Sequence, residues 1–300
     1  MEGILYIILQ TIRISMPYMM AAAGGVFSER GGVINIALEG IILNSSFCAV
    51  LGTYYTGSPV AGVAAGVAGG IITSLIHAVA CLEYSVDHII SGIAVNIFSF
   101  GMTKYFLLIV FGSSSNSPRI TPLGKIGLSH NLSISPLVPV FFILVLLSYF
   151  VIFRTRFGLR LRSCGEHPEA ADTMGVNVKR TKYAGVLISG ALAGLAGVWL
   201  AMDQSQFTAG MSGGRGFIAL AAVIFGKWNP AGAAAAALLF GAAECLQIQL
   251  QTSGIDVPAQ FIQMLPYLIT IIVLAGMVGR SRPPAAAGKN YPEEYVRGEN

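Results

Sequence analysis

Charged residues are scarce in this sequence. Asp, Glu, Lys and Arg make up only 11% of its 300 residues, whereas 54% are hydrophobic and the mean hydropathy is +0.71. A soluble domain of this length needs far more charge to cover its surface, so that class is excluded. The net charge of +4 does not indicate nucleic-acid binding, because the basic residues cluster in one loop and near the C-terminus.

Motifs for several kinds of chemistry are also missing. No Gly-x-x-x-x-Gly-Lys-Ser/Thr occurs, because the Gly-Lys pairs at 124, 226 and 288 are followed by Ile126, Trp228 and Asn290. Without that phosphate-binding loop we do not expect the chain to hydrolyse ATP. The four cysteines form no Cys-x-x-Cys, and no nucleophile–base pair or metal-ligand cluster is evident. We therefore expect no catalysis, no metal and no cofactor bound by this chain, which excludes an intramembrane enzyme.

Long apolar runs recur along the whole chain. Each is close to the roughly 20 residues that cross about 30 Å of hydrocarbon. The runs cover residues 3–27, 34–55, 60–82, 89–111, 136–153, 183–202, 231–250 and 258–278. They predict an all-α, polytopic helical membrane protein with about eight to ten transmembrane helices. We expect one transmembrane domain over residues 1–280, and a disordered cytoplasmic tail over 281–300 because of its Pro- and Ala-rich composition.

One apolar run is too short to cross a membrane as a straight helix. It covers residues 216–226, and it predicts a broken or re-entrant segment near 213–226. This segment also bears on the topology, because only three full-length runs separate the basic loop 154–182 from the basic tail. Either the short run helps to complete a fourth crossing, which places both on the cytoplasmic side, or the tail lies outside; we favour the first. The sequence shows no other clear interruption of this kind and no convincing internal repeat.

The loop 154–182 is a polar island between two apolar runs. It holds seven Lys or Arg residues, against two in the segment 113–135. Because Lys and Arg resist translocation, Cys164 should lie in the cytoplasm and Ser115 outside. The loop also contains a short predicted helix over residues 168–174. Pro168 suits its first position, Glu169 complements its positive end, and Gly175 can close it with a positive φ, as expected of a contact site for another protein.

Small and polar residues within the runs predict where helices meet. Gly62, Gly66 and Gly70 stand four apart, as do Gly190 and Gly194, which favours close helix packing. Polar side chains inside a membrane are costly and usually face a cavity or a partner. On that basis the candidates for a translocation path are Asn35, Glu39, Asn96 and Arg215. A structural alternative for Glu39 is that it caps a broken helix or pairs with Arg30.

Four stretches carry a resemblance to a known family: 28–40, with Gly-Gly-Val-Ile-Asn-Ile-Ala-Leu-Glu-Gly at its end, 165–171, 189–197 and 213–232. From about Tyr18 to Val278 the chain resembles the permease subunits of bacterial ABC importers, in the family that includes ribose-type sugar and branched-chain amino acid permeases. The stretch 31–40 is most similar to the nucleoside-importer branch. The Asp-Leu-Ser stretch typical of ribose-type permeases is absent.

The resemblance implies a multi-pass subunit of the bacterial cytoplasmic membrane that carries nucleosides. It implies that a coupling element docks onto a cytosolic ATPase, with ATP bound there; its residues would be Gly165, Glu166, Pro168, Glu169, Ala170, Ala171 and Gly175. It also implies a second permease subunit, expected to be a different chain, and an extracellular substrate-binding lipoprotein.

Three alternatives remain open at this point. The loop around residue 168 is a plain interhelical connection in the simplest interpretation. The cargo could be a simple sugar or a branched-chain amino acid in the same class of importer. An ion-coupled secondary transporter would instead use Glu39 or Glu244 as a proton site, but it should show matching broken helices in two halves.

Overall fold

A computed structural model describes residues 2–124, 126–129, 132–252 and 282–291, with the single residues 260, 261, 264 and 268. Its helices are α1 (Glu2–Arg30), α2 (Leu38–Thr56), α3 (Pro59–Leu82), α4 (His88–Phe111), α5 (Leu137–Arg154), α6 (Arg156–Glu166), α7 (Pro168–Thr173), α8 (Val178–Gln204), α9 (Arg215–Phe225) and α10 (Pro230–Thr252). Two short antiparallel strands, β1 (Ile126–Ser129) and β2 (Leu132–Ile134), lie in the segment 113–135, whose Ser115 is predicted to lie outside.

The prediction of a polytopic helical membrane protein is confirmed. Within the described residues five helices, α3, α4, α5, α8 and α10, are long and apolar enough to cross a membrane. The helices α1 and α2, of 29 and 19 residues, match two further predicted spans. The predicted span 258–278 lies outside the described residues, apart from four isolated positions.

Helix α8 is the centre of the bundle and packs against α1, α2 and α3. The predicted glycines make this packing close: a Cβ on Gly70 would lie 2.5 Å from the carbonyl oxygen of Gly190. The helices α4 and α5 lie at the periphery and expose large apolar side chains, such as Ile97 at 68% and Leu146 at 69%. This arrangement suits a protein whose outer surface meets lipid tails.

The short helix α9 completes a crossing together with the loop before it. Loop 205–214 starts at the same end of the bundle as the segment 113–135, where the backbone NH of Ala209 donates to the Ser115 carbonyl. The loop then enters the bundle, and α9 ends beside Arg30, next to α6. The broken segment predicted near 213–226 is thus present, and it brings the chain back to the end that carries α6 and α7, called here the α7 face.

Another interruption, the first along the chain, lies between α1 and α2, where residues 31–37 are not helical. The expectation of a single interruption is therefore wrong. The predicted runs 3–27 and 34–55 leave a gap at 28–33, but hydropathy did not show that the break reaches residue 37, because Ile34, Ile36 and Ala37 are as apolar as a helix interior. The number of broken helices consequently does not distinguish an ion-coupled transporter from an importer.

The tail was predicted to be disordered, but its residues 282–291 lie against the bundle and form hydrogen bonds with it. The backbone NH of Ala286 donates to Gly165 at 2.9 Å, and that of Gly288 donates to Gly32 at 3.0 Å. The Asn290 side chain donates to the carbonyl of Ser85 at 2.6 Å. A Pro- and Ala-rich segment has little apolar surface of its own, but it gains these bonds on the α7 face, which composition does not reveal.

Candidate functional site

The two interruptions meet inside the bundle at Glu39. Glu39 lies in the first turn of α2, directly after residues 31–37, and its carboxylate faces the start of α9. Its two oxygens accept hydrogen bonds from the backbone NH groups of Gly214 and Gly216, each at 2.7 Å. The first NH groups of a helix have no partner within the helix and carry a partial positive charge. A carboxylate from another helix therefore caps α9.

Two glycines make this junction possible. Gly214 has a φ of +84°, a left-handed conformation that glycine adopts at little cost. A Cβ on Gly216 would collide with the backbone of Glu39. The starts of α2 and α9 are therefore in direct backbone contact. The alternative that Glu39 pairs with Arg30 is not realised, because the Arg30 guanidinium donates to the carbonyls of Trp228 and Lys227.

Asn96 ties the same junction to α4. Its Oδ1 accepts from the backbone NH of Gly40 at 2.8 Å, and its Nδ2 donates to the Ile36 carbonyl at 3.0 Å. Asn96 is the ninth residue of α4, about 12 Å along the axis from its start. The amide thus satisfies two backbone groups that the break before α2 leaves unpaired, well inside the bundle.

Asn35 lies apart from any open surface. It is fully buried, and its Nδ2 donates to Ser189 Oγ at 3.0 Å. Its Oδ1 has no hydrogen-bond partner within the described part of the chain. A buried amide oxygen without a partner is costly. In this conformation Asn35 joins the first interruption to α8 and does not contact a water-accessible path.

Arg215, at the start of α9, forms a charged cluster with two residues that were not among the predicted path residues. Its guanidinium lies 3.5 Å from Glu244 on α10, and Tyr18 on α1 donates a hydrogen bond to the other oxygen of that carboxylate. The side chains of Arg215 and Glu244 are each 25% exposed. A charged pair inside a membrane is unfavourable against lipid, so this surface requires water or another protein beside it. The sequence signal was Glu244 itself, a lone carboxylate in an apolar run.

The loop helix α7 agrees closely with its prediction. It covers Pro168–Thr173, one residue shorter than expected, and Gly175 follows with a φ of +77°. The predicted coupling residues divide by exposure. Glu166, Glu169 and Ala170 are exposed, whereas Gly165, Pro168 and Ala171 are buried.

Ala171 therefore does not belong to the accessible surface of α7. It packs with Cys164 and Val178 in a small apolar cluster that the tail residue Tyr291 adjoins. Burial raises the pKa of the Cys164 thiol, which fits a packing role and not a reactive one. The surface that α7 offers to another protein is formed by Glu169, Ala170, Thr173 and Met174, the last 83% exposed.

Comparison with known proteins gives a consistent set of relatives. The family model described as "Branched-chain amino acid transport system / permease component" matches residues 7–274. The chain is 40% identical to the "Guanosine ABC transporter permease protein NupQ" of Bacillus subtilis, over 94% of each chain. It is 40% identical to the "Nucleoside ABC transporter permease protein NupC" of Lactococcus lactis, over 92% of this chain and 93% of that one. The "Guanosine ABC transporter permease protein NupP" of Bacillus subtilis is 27% identical, over 91% of this chain and 81% of its own.

Substitution of Gly216 tests the junction between the interruptions. We expect Gly216→Ala to destabilise the protein by about 1–3 kcal/mol, because the added methyl group must push α9 away from Glu39. Gly101→Ala is the matched control, since a Cβ at that position on α4 meets nothing within 4 Å. The measurement is thermal unfolding in detergent. Equal unfolding temperatures for the two variants would show that the two helix starts are not in contact.

Proposed function

The chain belongs to the family of permease components of branched-chain amino acid transport systems, and on that premise we propose that it is the permease subunit of a bacterial ABC importer for nucleosides. Its place would be the cytoplasmic membrane, with the α7 face inside and the segment 113–135 outside. The charge asymmetry between those two segments supports this orientation: seven basic residues against two.

The cargo follows from the relatives and from one stretch of sequence. Two relatives that are 40% identical over nearly their whole length carry guanosine or nucleoside in their names. The stretch 31–40, most similar to the nucleoside-importer branch, forms the first interruption and the start of α2. The observation that carries the proposal is this full-length similarity together with the polar junction that the stretch builds. A nucleoside is uncharged and rich in hydrogen-bonding groups, so a polar path of this kind suits it.

The path is proposed to run past the junction of the two interruptions. Arg215 and Glu244 are part-exposed there, and Glu39 and Asn96 hold the backbone in place beside them. Because this charged surface is unfavourable against lipid, a second permease subunit would cover it. Two different guanosine permease proteins of Bacillus subtilis match the chain, which supports a second subunit of different sequence.

Energy would come from a cytosolic ATPase that binds α7. Its accessible surface carries the carboxylate of Glu169 and the small side chain of Ala170, so that a partner can approach closely. The helix α6 connects this surface to the end of α1. A substrate-binding lipoprotein would deliver the cargo at the opposite face. The sequence contains no phosphate-binding loop of its own, in keeping with a chain that depends on a separate ATPase.

Uptake by cells that lack this subunit tests the cargo. Deletion is expected to abolish uptake of labelled guanosine and adenosine at low concentration, while ribose and leucine uptake stay unchanged. Restoring the gene on a plasmid should restore nucleoside uptake. Normal nucleoside uptake with a loss of ribose or leucine uptake would contradict the cargo and leave the importer class intact.

Substitution of Ala170 tests the coupling surface. Ala170→Trp places a large side chain on the exposed surface of α7, where we expect it to reduce ATPase co-purification and uptake by at least tenfold, about 1.4 kcal/mol. Ala171 is unsuitable for this purpose because it is buried within the chain itself. Ser115→Trp, also exposed but on the opposite face, is the control and should leave ATPase co-purification unchanged. Normal ATPase binding by the Ala170 variant would show that α7 is not the docking element.

A further inference from the structure

The turn after α9 is held in an unusual backbone conformation. Lys227 and Trp228 are consecutive non-glycine residues with positive φ values of +55° and +53°. Residues other than glycine rarely adopt a positive φ, and two such residues in succession persist only where the surrounding structure holds them. The turn also separates α9 from α10, because Pro230 begins the next helix.

Two neighbouring residues at the end of α1 hold this turn. Arg30 donates from Nε to the carbonyl of Trp228 at 2.8 Å and from Nη2 to that of Lys227 at 3.4 Å. Glu29, which is only 4% exposed, accepts a hydrogen bond from the indole NH of Trp228. The main chain and the side chain of the turn are thus both bonded to α1. A charged donor at the C-terminal end of α9 also complements the partial negative charge there.

The same end of α1 touches the loop that carries α7. A Cβ on Gly165 of α6 would collide with the carbonyl of Arg30, so these backbones are in direct contact. Two guanidinium groups lie over the ring of Phe153, at the end of α5: that of Arg30 is 5.8 Å from the ring centroid and that of Arg162 is 5.2 Å from it. One residue, Arg30, therefore meets α6 with its backbone, α5 with its guanidinium face and the turn after α9 with its NH groups.

We propose that Arg30 is the positioning residue that passes movement of the α6–α7 loop to α9, through its hold on the Lys227–Trp228 turn. The far end of α9 is capped by Glu39, so a displacement at Trp228 reaches the junction that surrounds Arg215. The inference rests on the proposed function, since it concerns how ATPase movement reaches the path. In this account Arg30 acts after the ATPase has docked, and it contributes nothing to docking itself.

The test uses the complete importer in proteoliposomes, with binding protein and labelled guanosine. Arg30→Met keeps an aliphatic side chain but removes both hydrogen bonds to the turn. We expect its ATPase to bind and hydrolyse normally while guanosine transported per ATP falls about tenfold, within the range of typical coupling between sites. Arg162→Met is the matched control. It removes the other guanidinium on the Phe153 ring, whose Nε donates within its own helix to Gly158, and its transport ratio should stay normal.

A reporter on α9 separates coupling from a merely structural role. A fluorophore at Phe217→Cys, an exposed position near the start of α9, should respond to ATP in an otherwise unchanged importer. The response should disappear with Arg30→Met. If Arg30→Met does not accumulate in the membrane, Trp228→Phe decides, since it shortens the side chain, removes the indole NH that donates to Glu29 and so weakens the hold of the end of α1 on the same turn; it should also lower the transport ratio.

Two results would overturn the inference. One is a normal transport ratio and a normal ATP response in both Arg30→Met and Trp228→Phe. The other is loss of ATPase binding in those variants, which would make Arg30 part of the docking surface. Absence of ATP-dependent guanosine uptake by the unchanged importer would refute the proposed function instead, so the two failures are distinguishable.

Discussion

The carboxylate of Glu39 joins two interrupted passes of the chain inside the membrane bundle. An interruption leaves backbone NH and carbonyl groups without helical partners, and lipid offers none. Here the break before α9 is satisfied by Glu39, and the break before α2 is satisfied in part by Asn96. The break before α9 thus depends on Glu39 at the start of α2, and the break before α2 depends on Asn96 of α4. The hydrogen bonds of Glu39 hold the starts of α2 and α9 in the close backbone contact seen at Gly216, and they place Arg215 near Glu244.

The end of α1 has a comparable role on the α7 face. It contacts α6 through Gly165, the tail crosses beside it at Gly32, and its Glu29 and Arg30 bind the turn after α9. The half-helix α9 is bonded to Glu39 at one end and Arg30 at the other, so a displacement of one end would be passed to the other along its axis. This gives a physical route by which a protein bound at α7 can influence polar groups deep in the bundle without touching them.

The sequence predicts the helices well because each is a local property of the chain. Span limits follow from apolar runs, the left-handed Gly175 follows from glycine chemistry, and the close packing of the helix faces that carry Gly70 and Gly190 follows from spacing, although their pairing does not. The contacts within the candidate site cannot be predicted from local sequence patterns in this way. Glu39 and Gly214 are 175 residues apart, so no local pattern shows that one caps the other.

Three further misses have the same origin. The first interruption extends into an apolar run that looks like helix, the tail gains its order only from the surface beneath it, and Ala171 is buried by residues of other segments. Glu244 was visible as a charge in an apolar run, but its partner Arg215 could be identified only once the fold brought α9 and α10 together. Composition shows that a polar group needs a partner, and the fold shows which one it has.

The most direct test of the central claim is thermal unfolding and guanosine uptake by Glu39→Ala beside Glu39→Gln. Removing the carboxylate leaves the NH groups of Gly214 and Gly216 without their acceptor, at a cost of about 1–3 kcal/mol for each buried group. Glu39→Ala should therefore unfold at a clearly lower temperature and lose uptake, while Glu39→Gln, which keeps one acceptor oxygen, should fall between it and the unchanged protein. A Glu39→Ala variant that unfolds and transports like the unchanged protein would contradict the account.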